Sequence, residues 1–310
     1  MSAISSFLRK IRRHALALFT LFLATTARGE VALLEHYHKL KNGLVDTLPG
    51  TSISLDSSEQ DEVLTAEVNS ILQTPFETVV AALTQASNWC EIMPLHFNIK
   101  ACTHEIRDSD ELLTVYSGRK IYEPPEDSYQ MTYQFEVIRQ DDERLSLRLH
   151  ADHGPVNTNN YLIELDAVPV AEGTLLHIHS SYRPSWLSSM LTRTYLSTVG
   201  RNKVGFSRID EDGELHYVQG IRGIIERNVM RYHIAINAFF STQSLPKNQR
   251  HDATLVSWFE QNDSYPQQLH EMDEAEYIEI KHQEWHNQQQ LQLSLDEGLQ
   301  LAAAPYLEDE

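Results

Sequence analysis

Between residues 98 and 182 apolar and polar residues alternate with a period of two, segment after segment. No other feature of the chain restricts its fold so strongly. From Tyr129 to Ile138, Tyr129, Met131, Tyr133, Phe135 and Val137 fall on one face, and Gln130, Thr132, Gln134 and Glu136 on the other. Leu145, Leu147, Leu149 and Ala151 alternate with Ser146, Arg148, His150 and Asp152. Tyr161, Ile163 and Leu165 alternate with Glu164 and Asp166; Leu176, Ile178, Ser180 and Tyr182 alternate with His177, His179 and Ser181. Side chains of an extended chain point to opposite sides in turn, so each segment reads as a half-buried strand. Asn98–Arg107 and Leu112–Tyr122 read as two further strands. Asp108-Ser109-Asp110, Pro124-Pro125-Glu126-Asp127 and Asp141-Asp142-Glu143 supply the turns. The sum is an antiparallel meander with one apolar and one wet face, and the apolar face must be covered.

The cover is sought on both sides of the meander. Upstream, Leu64–Leu72 reads as a strand. Pro75 then opens a helix (PFETVVAALTQ) with Thr74 as its expected N-cap, and Ser87–Leu95 reads as a second short helix. Residues 51–62, rich in Ser, Asp and Glu, read as a loop or an edge strand, and Val31–Leu44 as a short helix. Downstream, Trp186–Val199 is helical in pattern, and Val204–Val218 reads as a hairpin around Asp210-Glu211-Asp212-Gly213. From Ile221 to Phe240 a long helix carries Ile225, Val229, Tyr232, Ile236 and Phe240 at three- and four-residue steps, a core-facing stripe. Arg222 and Glu226 fit a surface pair on it. Pro246 ends that pattern. Asp252–Gln261 and Pro266–Leu293 read as two polar helices, the second with sparse apolar points such as Tyr277 and Trp285, and the residues from Asp296 on as a loose tail.

The N-terminus is of another kind. Arg9, Lys10, Arg12 and Arg13 precede ten mostly apolar residues, Ala15–Ala24, and then Thr25-Thr26-Ala27. That order is the pattern of a secretory signal peptide, and the run is half of the roughly 20 residues a membrane-spanning helix needs. An uncleaved anchor is the other reading. Without residues 1–27, 21 Lys and Arg stand against 44 Asp and Glu, a balance of −23. A surface so acidic excludes nucleic acid as a partner, since phosphate contacts are made by Lys and Arg. No later apolar run is long enough to span a bilayer, so the mature chain is not expected to be integral to the membrane. Cys90 and Cys102 are the two cysteines. In an oxidising compartment they are expected to form a disulfide; a pair of buried free thiols is the alternative. The expected organisation is a signal peptide over 1–27, an N-terminal helix and linker over 28–61, a main domain over 62–241, and a helical C-terminal extension over 242–310.

Two stretches, EVNSILQTPFETVVAALTQASNWCEIMP and GIRGIIERNVMRYHIAINAFF, set a strand and two short helices before the meander and one long helix after it. In this order residues 62–241 resemble the START-like (SRPBCC) helix-grip superfamily, the polyketide cyclase/dehydrase and lipid-transport group. The resemblance implies an α+β fold in which a curved antiparallel sheet wraps around a long helix. It also implies an elongated apolar cavity between them for a lipid or another apolar small molecule. The helix at 186–199, the hairpin and the C-terminal helices depart from the minimal pattern.

On that reading Tyr116, Met131, Tyr133, Phe135, Leu149, Ile163, Ile178 and Tyr182 line the sheet side of the cavity, and Val229, Tyr232, His233 and Ile236 the helix side. Trp186 and Met190 fit a lid over its mouth, or ordinary packing. Arg222, Arg231 and His233 are candidates to meet a polar head. Metal binding is not expected, because alternation puts His150, Asp152, His177 and His179 on the wet face. No cofactor is implied. No nucleophile-elbow, zinc-protease or phosphate-loop motif occurs. A cyclase- or hydrolase-type enzyme would have to draw acid–base groups from Lys120, Glu226, Arg231 and His233. Three function classes stand: an exported (periplasmic or extracellular) carrier or sensor of apolar molecules, an enzyme of the same fold, or a module that meets a protein partner through its C-terminal helices.

Overall fold

The computed structural model describes residues 33, 35, 37, 38, 41, 52–186, 188–190 and 203–298. The chain divides into two compact units, residues 1–47 and 48–310. In the first, the described positions are helical, with Lys41 Nζ donating to the Tyr37 hydroxyl at 3.4 Å. The signal-peptide segment lies outside the described residues, as do 191–202 and the tail from 299.

The second unit is built on one eight-stranded antiparallel sheet. Its strands are β1 (Ser54–Gln60), β2 (Val63–Leu72), β3 (Ile99–Arg107), β4 (Asp110–Ser117), β5 (Tyr129–Gln140), β6 (Leu145–His153), β7 (Asn159–Val170) and β8 (Gly173–Arg183). They lie in the order β1-β2-β8-β7-β6-β5-β4-β3. The alternating segments thus form a continuous meander from β3 to β8, and the β1–β2 hairpin closes onto β8. Residues 51–62, open between loop and edge strand, contain the edge strand β1. Register shifts between Ile99 and Ala101, Val137 and Arg139, and Asn159 and Leu162 interrupt the ladders, and such bulges bend and twist strands.

The helices are α1 (Phe76–Leu83), α2 (Ala86–Ile92), α3 (Gly220–Thr242), α4 (Lys247–Asp263), α5 (Pro266–Leu269) and α6 (Glu274–Asp296). A 3-10 turn, Met93–Leu95, extends α2. The hairpin expected before the long helix is present as β9 (Arg208–Glu211) and β10 (Glu214–Tyr217). Three local expectations fail. Thr74 does not cap α1: the N-cap is Pro75, and the Thr74 carbonyl accepts from the Thr174 hydroxyl at 2.7 Å. The last helix is not continuous from Pro266. It breaks at His270–Asp273, where Glu271 turns to meet three cations, Lys120 (2.7 Å), Arg231 (2.7 Å) and Lys203 (3.7 Å). Glu226 is not a surface partner of Arg222. It is fully buried, and Arg222 bonds the Ser57 carbonyl at 2.6 Å.

Glu226 instead ties three segments together. Its carboxylate accepts from Ser57 Oγ of β1 (2.5 Å), from the amides of Phe206 (2.6 Å) and Ser207 (3.0 Å), and from the Ser207 hydroxyl. A buried carboxylate is tolerable when its lone pairs are filled in this way. Gly205 permits the approach: a Cβ there would stand 2.3 Å from Glu226 Oε2.

Candidate ligand-binding site

Cross-strand partners share a face, so the register sorts the residues. One row runs Ser57, Ala66, Ser180, Ile163, Leu149 and Phe135; a second runs Leu55, Val68, Ile178, Leu165 and Leu147. Ser57 reaches Glu226 of α3, and Ser70 of β2 lies 3.2 Å from His233 Nδ1. This is therefore the inner face, and α3 lies across it, against β1, β2 and β8. The chain has the START-like, helix-grip fold.

Seven of the eight residues expected on the sheet side of the grip lie on this inner face: Met131, Tyr133, Phe135, Leu149, Ile163, Ile178 and Tyr182. The first six are buried and Tyr182 packs against them. Val229, His233 and Ile236 are buried on α3, and Tyr232 packs against the same core. Tyr116 is the exception. Its neighbour Val115 pairs with Met131 and Cys102, so Tyr116, paired with Gln130 and Ala101, points to the outer face and bonds Thr103 there. Reading β4 one residue out of step caused that error. Tyr129 and Val137, at the two ends of β5, are exposed.

Besides Glu226, His233 and inward serines such as Ser57 and Ser70, the apolar interior carries a set of aromatic polar groups. Tyr161 stacks on Tyr182 with ring centroids 5.1 Å apart, and its hydroxyl lies 2.8 Å from Thr158 Oγ1. Tyr232 stacks on His96 at 5.5 Å. Burial holds the Tyr133 hydroxyl well above its usual range, reinforced by Tyr232 and Tyr161 nearby, and burial raises Tyr232 to about 12. All these phenols are neutral and able to donate. His96 Nδ1 accepts the Asn98 amide (3.1 Å), which leaves the proton on Nε2; that nitrogen is buried, has Asn228 beside it, and makes no hydrogen bond of good geometry. Burial first, then Arg231 and Lys281, keep His96 neutral. His233, fully buried, is lowered to about 4 by desolvation. His96 and Tyr161 were not singled out in the sequence. Tyr161 lay in the alternation, but nothing periodic marks His96, which follows the 3-10 turn.

Of the four charged groups weighed for catalysis, Glu226 and His233 are held by Ser57 and Ser70 of the inner face, and the other two lie at Glu271. Arg231 and Lys120 converge on Glu271. Burial alone would raise the Glu271 carboxyl, but Arg231, Lys120 and Lys203 hold it low. Lys120 falls to about 8, through burial. Trp186 and Met190 are both exposed on the described helical positions 186 and 188–190. On the outer face His177 pairs with Asn69 (3.0 Å) and His179 with Glu67 (3.2 Å). Among the described residues, His251, Asp252 and His282 bring ligand atoms within 4.8 Å of one another; Asp252 and His282 are exposed and bond each other at 3.0 Å. Cys90 and Cys102 form the expected disulfide. Among the described residues no helix is long and apolar enough to cross a membrane.

No protein-family model and no curated protein matches the chain. Solved structures do. CalU16 from Micromonospora echinospora is similar over 68% of this chain and 97% of its own, at 11% identity and a TM-score of 0.31. A STAR-related lipid transfer protein fragment from Xanthomonas axonopodis is similar over 50% of this chain and 93% of its own, at 16% identity and a TM-score of 0.33. A Thermus thermophilus protein, TTHA0849, is similar over 45% of this chain and 86% of its own, at 16% identity and a TM-score of 0.32. The fold assignment stands on the strand order of this chain and on the placement of α3.

Proposed function

We propose that this START-like protein is an exported carrier or sensor that holds a lipid or another apolar small molecule between the inner face of the sheet and α3. The observation that carries the reading is the gathering of Tyr133, Tyr161, Tyr182 and Tyr232 with His96 inside a largely apolar interior. Filling a core needs only Leu, Ile and Phe. Phenols and a buried imidazole N–H offer a few fixed hydrogen bonds to an apolar guest, the usual make-up of a small-molecule site. Their neutrality suits an uncharged or weakly polar head. Affinity would come from burial, at about 25 cal/mol per Å² of apolar area removed from water. The Cys90–Cys102 bridge fits an oxidising compartment, which the N-terminal signal pattern also points to.

The test is native mass spectrometry of the protein purified from its export compartment, with extraction of whatever it carries. A lipid-sized adduct that is lost in Tyr133→Trp, while the variant stays folded, is the expected result. An unliganded mass, with no uptake from a mixed-lipid dispersion, would refute the reading.

A further inference from the structure

Away from the gripped interior, a cleft of about 330 Å³ opens between α2, the 3-10 turn after it, the C-terminal end of α3, the first turns of α4, and α6. That volume is at the lower end of small-molecule sites, roughly 300–1,000 Å³. Three of these walls belong to the family core and two to the C-terminal helices, so the cleft exists only because α4 and α6 are present. Phe239, Leu255 and Trp285 give it an apolar side, and Lys281 and Glu284 lie along it.

The charges in the cleft are unequal in availability. Lys281 is saturated: its three donors meet the carbonyls of His96 and Ile99, both at 2.9 Å, and Glu284 Oε2 at 2.7 Å. Glu284 gives its other oxygen to Lys100 at 2.8 Å. On α4, Arg250 spends Nε on the Leu245 carbonyl (2.8 Å) and Nη1 on Gln243 Oε1 (3.2 Å), two neutral acceptors. Lys247, three residues earlier, is exposed. Among the described residues neither Lys247 nor Arg250 makes an ion pair. On a chain with 44 acids and 25 Lys and Arg, two such cations together at the mouth of a cleft are out of character. The acid facing them, Glu91, has its carboxyl raised by burial, with Arg250 and Lys247 opposing. His251, also lining the cleft, lies tilted against Trp285 with ring centroids 4.8 Å apart and has a buried Nε2 without a hydrogen-bond partner.

We propose that this cleft is a second ligand site, built for a small organic acid: an anionic head on Arg250 and Lys247, with an apolar body along Phe239, Leu255 and Trp285. His251 Nε2 supplies a neutral hydrogen bond. The site is chemically the opposite of the interior, which offers neutral donors, so the two select different guests, and neither proposal needs the other.

The experiment follows the indole N–H of Trp285 in proton–nitrogen correlation spectra of the full chain. The chain has four tryptophans, and Trp285→Phe identifies the signal. Octanoate is titrated beside octanol and octylamine, which share its tail. Octanoate is expected to move the Trp285 signal saturably while the alcohol and the amine do not. Arg250→Gln with Lys247→Gln should weaken octanoate by about tenfold or more, as loss of charge-assisted bonds does. Exposed Lys247→Glu alone, which spares the fold, should weaken it too. Tyr133→Trp, in the interior, should leave it unchanged. The proposal is overturned by no response to octanoate, by octanol acting as well as octanoate, by an affinity that the rim variants leave unchanged, or by loss of the response in Tyr133→Trp alone.

Discussion

Replacing Glu284 by Gln should be among the most damaging single changes outside the gripped core. Glu284 is shared by two ammonium groups, Lys100 at 2.8 Å and Lys281 at 2.7 Å, and the three side chains are 2%, 0% and 3% exposed. Lys100 also bonds the carbonyls of Phe97 (3.0 Å) and Ile121 (2.9 Å), as Lys281 bonds those of His96 and Ile99. Every donor of both lysines is therefore used. Gln is nearly the same shape, but it removes the negative charge that the two ammonium groups share and turns an amide NH₂ toward one of them. Removing one partner of a buried ion pair costs roughly 3–5 kcal/mol, and here two cations lose the same partner, so a loss of about 5 kcal/mol is expected. For a unit of this size each kcal/mol lowers Tm by about 2–4 °C, which gives a fall of about 10–20 °C. Urea and thermal unfolding followed by circular dichroism would measure it. Lys281→Met separates the causes. A buried pair can often be exchanged for hydrocarbon at little cost, but this lysine also satisfies two carbonyls that Met would leave orphaned, so the variant should lose stability as well. If Glu284→Gln costs less than about 1 kcal/mol, the ordinary level of an exposed pair, the triad is solvated and the reasoning fails.

Two other outcomes follow from buried polar groups. His233 has its pKa lowered from 6.5 to about 4. As pH falls the unfolded chain takes up the proton first, so stability is complete above pH 6.5 and drains away between 6.5 and about 4, by about 3 kcal/mol from this residue. His96 acts in the same direction. Urea midpoints at pH 7.5 and 4.5 should differ by less in His233→Gln, and an unchanged difference would exclude His233 as the cause. Gln288→Ala orphans the buried Cys102 amide and Cys90 carbonyl, each now held at 2.8 Å, and should cost roughly 1–3 kcal/mol. Gln292→Ala should cost less, because water reaches the His104 groups it releases. The opposite order in chemical denaturation would contradict the assigned burial.

The sheet was legible because a period of two survives any tertiary context that leaves one face wet. Met131, Tyr133 and Phe135 kept their parity through β5, and the outward histidines kept theirs. Tyr116 was lost because β4 carries apolar residues of both parities, Leu113 and Val115 inward and Leu112 and Tyr116 outward, so pattern alone could not choose the frame. Lys100 was invisible for a related reason: it sits where the β3 register shifts, and a lysine in a strand reads as wet. Glu226 looked like a surface group because helix periodicity locates a stripe but not the serine, Ser57, that makes a carboxylate at home in it.

The C-terminal helix α6 shows why its role lay outside the reach of hydrophobic pattern. Its buried residues are Tyr277, Lys281, Glu284 and Gln288, a core-facing stripe in spacing with almost no apolar content, so it read as a polar appendage. The surface it covers is β3, the last strand of the sheet. An edge strand presents unpaired amides and carbonyls, and a helix of hydrocarbon could not answer them. Gln288 accepts from the Cys102 amide at 2.8 Å, and Gln292 both accepts from and donates to His104, at 2.9 Å each way. The spacing makes this repeatable: four helical residues rise about 6 Å and two strand residues about 6.6 Å. Glutamines one turn apart therefore meet successive free positions of the edge; Gln292 stands in for a residue of a ninth strand, while Gln288 takes the Cys102 amide and donates to the Cys90 carbonyl of α2. The same side of α6 closes the cleft beside Cys90, so the helix that covers the sheet edge also builds a wall of that cleft.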